Sequence, residues 1–179
     1  MARAQAHDPR VKGSRARPLR AAWTVLAAVV LVAVLTACGP SAGNHAERQS
    51  AANLSSMIDQ LHDDLAVTEI EGDTLASARR ALSNHSDQLA ALVAYDDFGS
   101  CRTMLRNAGS TDGHLQPVGV TLDSACGLLE RAATLFTAAQ ANADPETLLR
   151  ATARALKAAP LLYRAKLQLE MARGADQQP

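Results

Sequence analysis

Apolar residues recur along this chain with two rhythms. From Ala21 to Leu35 they run on without a charge, and after residue 44 they return every three or four positions. Leu54, Ile58, Leu61 and Leu65 fall at i, i+4, i+7 and i+11, with Met57 widening the stripe. That spacing predicts a first helix over Asn44–Thr68. Gly72 is a stop signal and Asp73 a candidate N-cap for a second helix over Thr74–Tyr95. There Leu75, Ala78, Leu82, His85, Leu89 and Leu92 share a stripe. Asp96-Asp97-Phe98-Gly99 interrupts the period, and a short helical piece over Ser100–Asn107 carries Cys101, Met104 and Leu105. Residues 108–119 (AGSTDGHLQPVG) hold three glycines and a proline, and read as the longest loop. A third helix is expected over Thr121–Asn142, with Leu122, Cys126, Leu129, Ala133, Phe136 and Gln140 on one stripe. Asp144-Pro145-Glu146 then supplies a cap, a first-position proline and a first-turn acid. The fourth helix runs to about Arg173 through Leu148, Leu149, Leu156, Leu162, Tyr163, Leu167 and Met171. Pro160 inside it removes a backbone donor and demands a kink or a break. The expected fold class is all-α, a small antiparallel helical bundle of about four helices with one disulfide.

The uncharged block changes the picture of where the protein works. It is 15 residues long, preceded by Arg3, Arg10, Lys12, Arg15, Arg17 and Arg20 against the single acid Asp8. A spanning helix needs about 20 apolar residues, whereas a signal-peptide core needs about 7–15. The block ends in Leu35-Thr36-Ala37-Cys38: an aliphatic residue, two small ones, then cysteine. This tetrad resembles the lipobox of bacterial lipoproteins. The resemblance covers the leader alone and implies cleavage before Cys38, a diacylglyceryl thioether on its sulfur, and retention on the extracytoplasmic face of the cell membrane. Two or more acyl chains hold firmly where one binds reversibly. The expected organisation is a signal peptide over 1–37, a lipidated cysteine and tether over 38–44, a bundle domain over 45–173 and a frayed tail over 174–179.

Charge then splits the chain. The full sequence balances 18 Lys+Arg against 18 Asp+Glu. Without the leader's six bases and one acid, 12 bases and 17 acids remain, a net charge of −5. Nucleic-acid binders need a basic surface, so no nucleic-acid partner is expected. Of those acids, 10 precede Cys101, against 3 bases; 7 follow it, against 9 bases. Arg150, Arg154 and Lys157, with Arg164 and Lys166, read as solvated helix faces and, given a short tether, as a contact for anionic headgroups. With Cys38 assigned to lipid, Cys101 and Cys126 remain as an even pair in an oxidising compartment, where a disulfide is expected.

Catalytic signatures do not stand out. There is no phosphate-cradling glycine loop and no Cys-x-x-Cys. The one suggestive metal spacing is Asp59-x-x-His62 on the first helix, which His85 would join across the core. Bundle metal sites pair such half-motifs from two helices. The expected function is therefore a non-enzymatic, membrane-anchored lipoprotein without a cofactor. It would be held through diacylglyceryl-Cys38 and bind or scaffold an envelope protein. The alternative is a small-ligand or metal carrier around Asp59, His62 and His85.

Overall fold

The structure, a computed structural model, describes residues 40–175. The leader, Cys38 and the last four residues lie outside them. The chain divides into two compact units, Met1–Gly43 and Asn44–Pro179; the second holds the architecture described here. Among the described residues there are six α-helices and no strand: α1 (Pro40–Thr68), α2 (Leu75–Ser83), α3 (His85–Asn107), α4 (Gln116–Asn142), α5 (Pro145–Leu156) and α6 (Ala159–Ala175). None of these helices is long and apolar enough to cross a membrane. The fold is all-α, as the periodicity implied.

Cross-helix contacts fix an up-down-up-down arrangement of four rods. Gln60 Nε2 donates to Asp97 Oδ2 (2.7 Å) and Asn53 Nδ2 to the Ala108 carbonyl (3.1 Å), so α1 and α3 run antiparallel. The Cys101–Cys126 disulfide (Cα–Cα 5.2 Å) joins α3 to α4. Thr121 Oγ1 donates to Gln168 Oε1 (2.9 Å), joining α4 to α6. Lys166 Nζ meets Asp59 Oδ1 at 2.7 Å, and Arg173 donates to the Ala51 carbonyl at 2.7 Å, closing the ring between α6 and α1. α5 and α6 together form the fourth rod, and α2 caps the end where α1 turns into α3.

The core combines leucines with alanines. Leu54, Ile58, Leu61 and Leu65 of α1 are all buried, as are Leu122, Cys126, Leu129 and Phe136 of α4. Ala94, Ala125, Ala132, Ala139, Ala151, Ala155, Ala158 and Ala165 are buried too. Small side chains let helix axes approach closely and give facing large residues room to interdigitate.

Element boundaries depart from the sequence expectation in five places, each with a local cause. The first helix extends back to Pro40, a residue tolerated in a first turn, so part of the expected tether is helical. Thr74, not Asp73, caps α2 by accepting from Ser77 N–H (3.1 Å), while Asp73 and Gly72 make the preceding turn with φ of +48° and +76°. The expected second helix breaks at Asn84, whose extended backbone (φ −87°, ψ 113°) and side-chain oxygen cap α3 through Ser86 N–H (3.1 Å). α3 then runs unbroken through Asp96-Asp97-Phe98-Gly99, because Phe98 is fully buried there and Gly99 packs towards Ala133. Finally, α4 begins at Gln116 with Pro117 in its first turn, so the 108–119 segment is mostly structured.

Pro160 splits the fourth rod. Residues 157–158 form a turn held by Ala158 N–H to the Ala155 carbonyl (2.8 Å). Pro160 becomes the second residue of α6, where its missing donor leaves no intrahelical bond unmade. Asp144 caps α5 as expected, accepting from Glu146 N–H (2.9 Å), Thr147 N–H (3.3 Å) and the Thr147 hydroxyl (2.6 Å). Those Thr147 bonds hold the Asp144 carboxyl below its ordinary pKa.

Candidate functional site

One of several concave surfaces lies at the end of the bundle capped by α2. A cleft of about 620 Å³ opens between the end of α1, α2, the first half of α3 and the facing parts of α4 and α5. Its floor is aromatic. Tyr95 stacks on Phe136 with ring centroids 4.1 Å apart, and Phe98 meets Tyr95 edge-on at 5.3 Å. Behind the rings, Tyr95 Oη and Thr152 Oγ1 are 3.5 Å apart, and Thr152 Oγ1 donates to the Thr68 carbonyl at 3.4 Å. Both bonds are long, leaving this buried polar chain loosely satisfied. Burial raises the Tyr95 phenol above its ordinary pKa, with the Thr152 and Thr68 hydroxyls opposing part of the rise. Tyr95 is therefore neutral at physiological pH. Glu69, Arg80, Asp87 and Gln140 supply polar groups elsewhere in the lining, and Gln88, tied to the Leu82 carbonyl, steadies the α2–α3 turn.

A second groove, about 590 Å³, runs along α3 and α4 and shares Tyr95, Phe136 and Gln140 with the first. Leu92 lines it. Leu92 belongs to an outward stripe with Leu89 and Val93, each between 50 and 61 % exposed. His85 lies one turn before Leu89 and Asp96 one turn beyond Leu92, both exposed. The predicted stripe through His85, Leu89 and Leu92 is thus one face of a helix, as the spacing required, but that face is turned to solvent. The buried face of α3 consists of Ala94, Tyr95, Phe98 and Cys101. Leu75 is likewise exposed, whereas Ala78 is buried.

The sequence-derived metal candidates do not meet. Asp59 and His62 are both exposed on α1, and Asp59 is engaged by Lys166. His85 is exposed at the first position of α3 instead of projecting into the core. Among the described residues, no group of three or more His, Cys, Asp or Glu side chains is placed to hold a metal ion. The physical reason is the break at Asn84, which moves His85 from mid-helix to a helix start. Cys38 lies outside the described residues.

One further polar constellation escaped the sequence reading. Asp64 of α1 lies beside Asp97 of α3, and one Asp64 oxygen is buried without a hydrogen-bond partner. Burial first, then the Asp97 charge and a hydrogen bond to Asp97, and last the Asp63 charge, push the Asp64 carboxyl up to about 6. A protonated Asp64 donating to Asp97 satisfies the orphaned oxygen. Two acids 33 positions apart carry no local signal of their pairing.

Comparison with protein-family models, with curated proteins and with solved structures finds no match to this chain. Function is therefore argued from the surface itself.

Proposed function

We propose that this protein is an extracytoplasmic lipoprotein, cut before Cys38, anchored by acyl chains on that cysteine, and presenting a non-enzymatic helical bundle to an envelope protein. The anchor rests on the Leu35-Thr36-Ala37-Cys38 tetrad behind a basic, short apolar leader. The Cys101–Cys126 disulfide is consistent with an oxidising compartment. The observation that carries the binding role is the outward stripe Leu89-Leu92-Val93 beside the Tyr95–Phe136 groove. An apolar patch next to an aromatic-floored groove, with polar residues around it, has the anatomy of a protein interface. Its polar neighbours include the exposed Asp96, which favours a partner surface bearing Lys or Arg, while Glu130 is already paired with Arg102.

Crosslinking in intact membranes tests this reading. A discrete partner band is expected for the wild type and is lost in the Leu89→Asp, Leu92→Asp double variant. A partner retained by that variant places the interface elsewhere, and no partner above background removes the role. Flotation of the Cys38→Ala form tests the anchor separately: it is expected to leave the membrane fraction.

A second reading, carriage of a small ligand, is favoured by the about 620 Å³ cleft and the loosely satisfied Tyr95–Thr152 pair within it. Pockets of roughly 300–1,000 Å³ accommodate small molecules. Native mass spectrometry of membrane-extracted protein decides it. A stoichiometric adduct lost on Phe136→Ala supports carriage, and a bare mass removes it.

A further inference from the structure

α6 carries a second outward apolar stripe, and its setting differs from that of α3. Tyr163, Leu167 and Met171 recur every four residues and are between 42 and 67 % exposed, while Leu162, Ala165 and Leu169 fill the inward face. On α6 itself the exposed charges are mostly basic, while α1 brings Asp59 and Asp63 to the Lys166 edge. Lys157, Arg164, Lys166 and Arg173 are exposed between residues 157 and 173, against the single acid Glu170. Lys166 is paired with Asp59 and Arg173 donates to Ala51, which leaves Lys157 and Arg164 outside the ion pairs found among the described residues.

Position adds the third element. The Arg173–Ala51 bond puts the Met171 end of α6 beside the first turns of the described domain. From Cys38 two residues of chain, at most about 7 Å of backbone, reach Pro40, where α1 begins. A lipid on Cys38 therefore holds this end of α6 within reach of headgroups.

We propose that the Tyr163-Leu167-Met171 face of α6 docks on the anionic bilayer that carries the anchor, laying the bundle along the membrane and leaving the α3 stripe outward. The inference rests on lipidation of Cys38 for its local concentration, and the chemistry of the face supplies the rest. Tyrosine suits the boundary between water and acyl chains, because its ring is apolar and its hydroxyl stays wet. Leucine and methionine enter the interfacial layer, and basic side chains at its edge attract anionic headgroups, each by roughly fivefold in adsorption. The α3 stripe has Asp96 on its own face and no Lys or Arg between residues 81 and 101, whereas Glu170 on the α6 face has Lys166 and Arg173 within a turn.

The test is hydroxyl-radical footprinting of the full lipidated chain on vesicles of phosphatidylcholine alone or of phosphatidylcholine with phosphatidylglycerol. Met171 and Tyr163 are expected to lose severalfold in reactivity on the anionic vesicles and to regain it in high salt. Leu89 and Val93 stay as reactive as in lipid-free protein. The Leu167→Ser, Met171→Ser variant is expected to lose Tyr163 protection while its melting temperature falls by only a few degrees. Met171 equally reactive on both vesicle types overturns the proposal, as does Met171 protection that appears without lipid and grows with protein concentration, the mark of a second copy on this face. Flotation of wild type against Cys38→Ala reports the anchor independently. The Cys38→Ala chain, given excess anionic vesicles, is expected to show the same footprint at lower occupancy. The α6 assignment is thus decided even where flotation refutes lipidation, and an unprotected Met171 in a floating protein refutes the α6 assignment alone.

Discussion

The two faces of α3 carry similar apolar side chains and put them to opposite use. Inward, Tyr95, Phe98 and Cys101 are buried, with Phe136 stacked on Tyr95 and Cys126 bonded to Cys101. Outward, Leu89, Leu92 and Val93 stand half or more in solvent beside an open groove. What separates them is the opposing surface, not their own hydrophobicity. α4 offers the inward face alanines small enough to seat aromatic rings. Nothing among the described residues covers the outward one, and that vacancy is what makes it available for binding.

The largest test of the contrast is Phe98→Ala. Removing a fully buried ring leaves a cavity in a close-packed interior, and about 3–5 kcal/mol of stability is expected to go with it in urea unfolding. A loss below about 1 kcal/mol would mean that the inward face is as loosely held as the outward one. Next comes the covalent tie. Cys101 and Cys126 are separated by 25 positions, and opening a loop of that length by a Cys101→Ala, Cys126→Ala pair costs about 3 kcal/mol in the chain-entropy model. Urea midpoints of the two forms, both unfolded without reductant, give the difference.

These results bear on how much of the molecule is legible in its residues. Where a leucine stripe has large partners, period and burial agree: the α1 stripe and most of the α4 stripe face the core. The Asp144-Pro145-Glu146 start is equally plain, because capping is local chemistry. In α3 the period groups His85, Leu89 and Leu92 on one face, but it does not say which way that face points. In α6 the expected apolar residues divide between a buried face with Leu162 and an exposed one with Tyr163, Leu167 and Met171. Alanines decide the orientation, and hydropathy ranks them below leucine although they line the buried side. The Asn84 cap was hidden inside an unbroken heptad-like pattern, since its hydrogen bond to Ser86 N–H competes with helix only once the chain has turned there. For the same reason the cleft was not foreseen. It is assembled from five helices around Tyr95 and Phe136, whereas the short-range spacing of Asp59 and His62 pointed to a metal site completed by His85 across the core.

Between core and solvent lies the α1-facing flank of α3, and pH probes it. Asp64 has a folded-state pKa of about 6 against an ordinary value of 3.8, so the native state binds its proton more tightly than the unfolded chain. The stability this contributes is fully present below pH about 4 and is lost as pH rises through about 6. Allowing for solvent screening at a partly exposed pair, the swing is about 1–2 kcal/mol. Melting temperatures across pH 4–8 are expected to fall through that window in the wild type. Asp64→Asn, which keeps an Asp97 donor at every pH, should flatten the curve and leave the variant more stable above pH 7. A wild-type curve already flat there would place Asp64 in water instead of between helices.

The smallest effect is the most telling. Leu89→Ser with Leu92→Ser removes two half-exposed leucines from the same helix that Phe98 anchors, yet stability is expected to fall by only about 1 kcal/mol. About half of each side chain already meets water, so no cavity forms and only the covered half carries a transfer penalty. Serine lowers helix propensity slightly, and relief of exposed apolar area offsets part of that. The partner crosslink, by contrast, should disappear. A binding loss at nearly constant stability assigns the outward leucines to recognition. A stability loss approaching that of Phe98→Ala would instead mean that the groove closes over them in solution, and the distinction between the two faces of α3 would vanish.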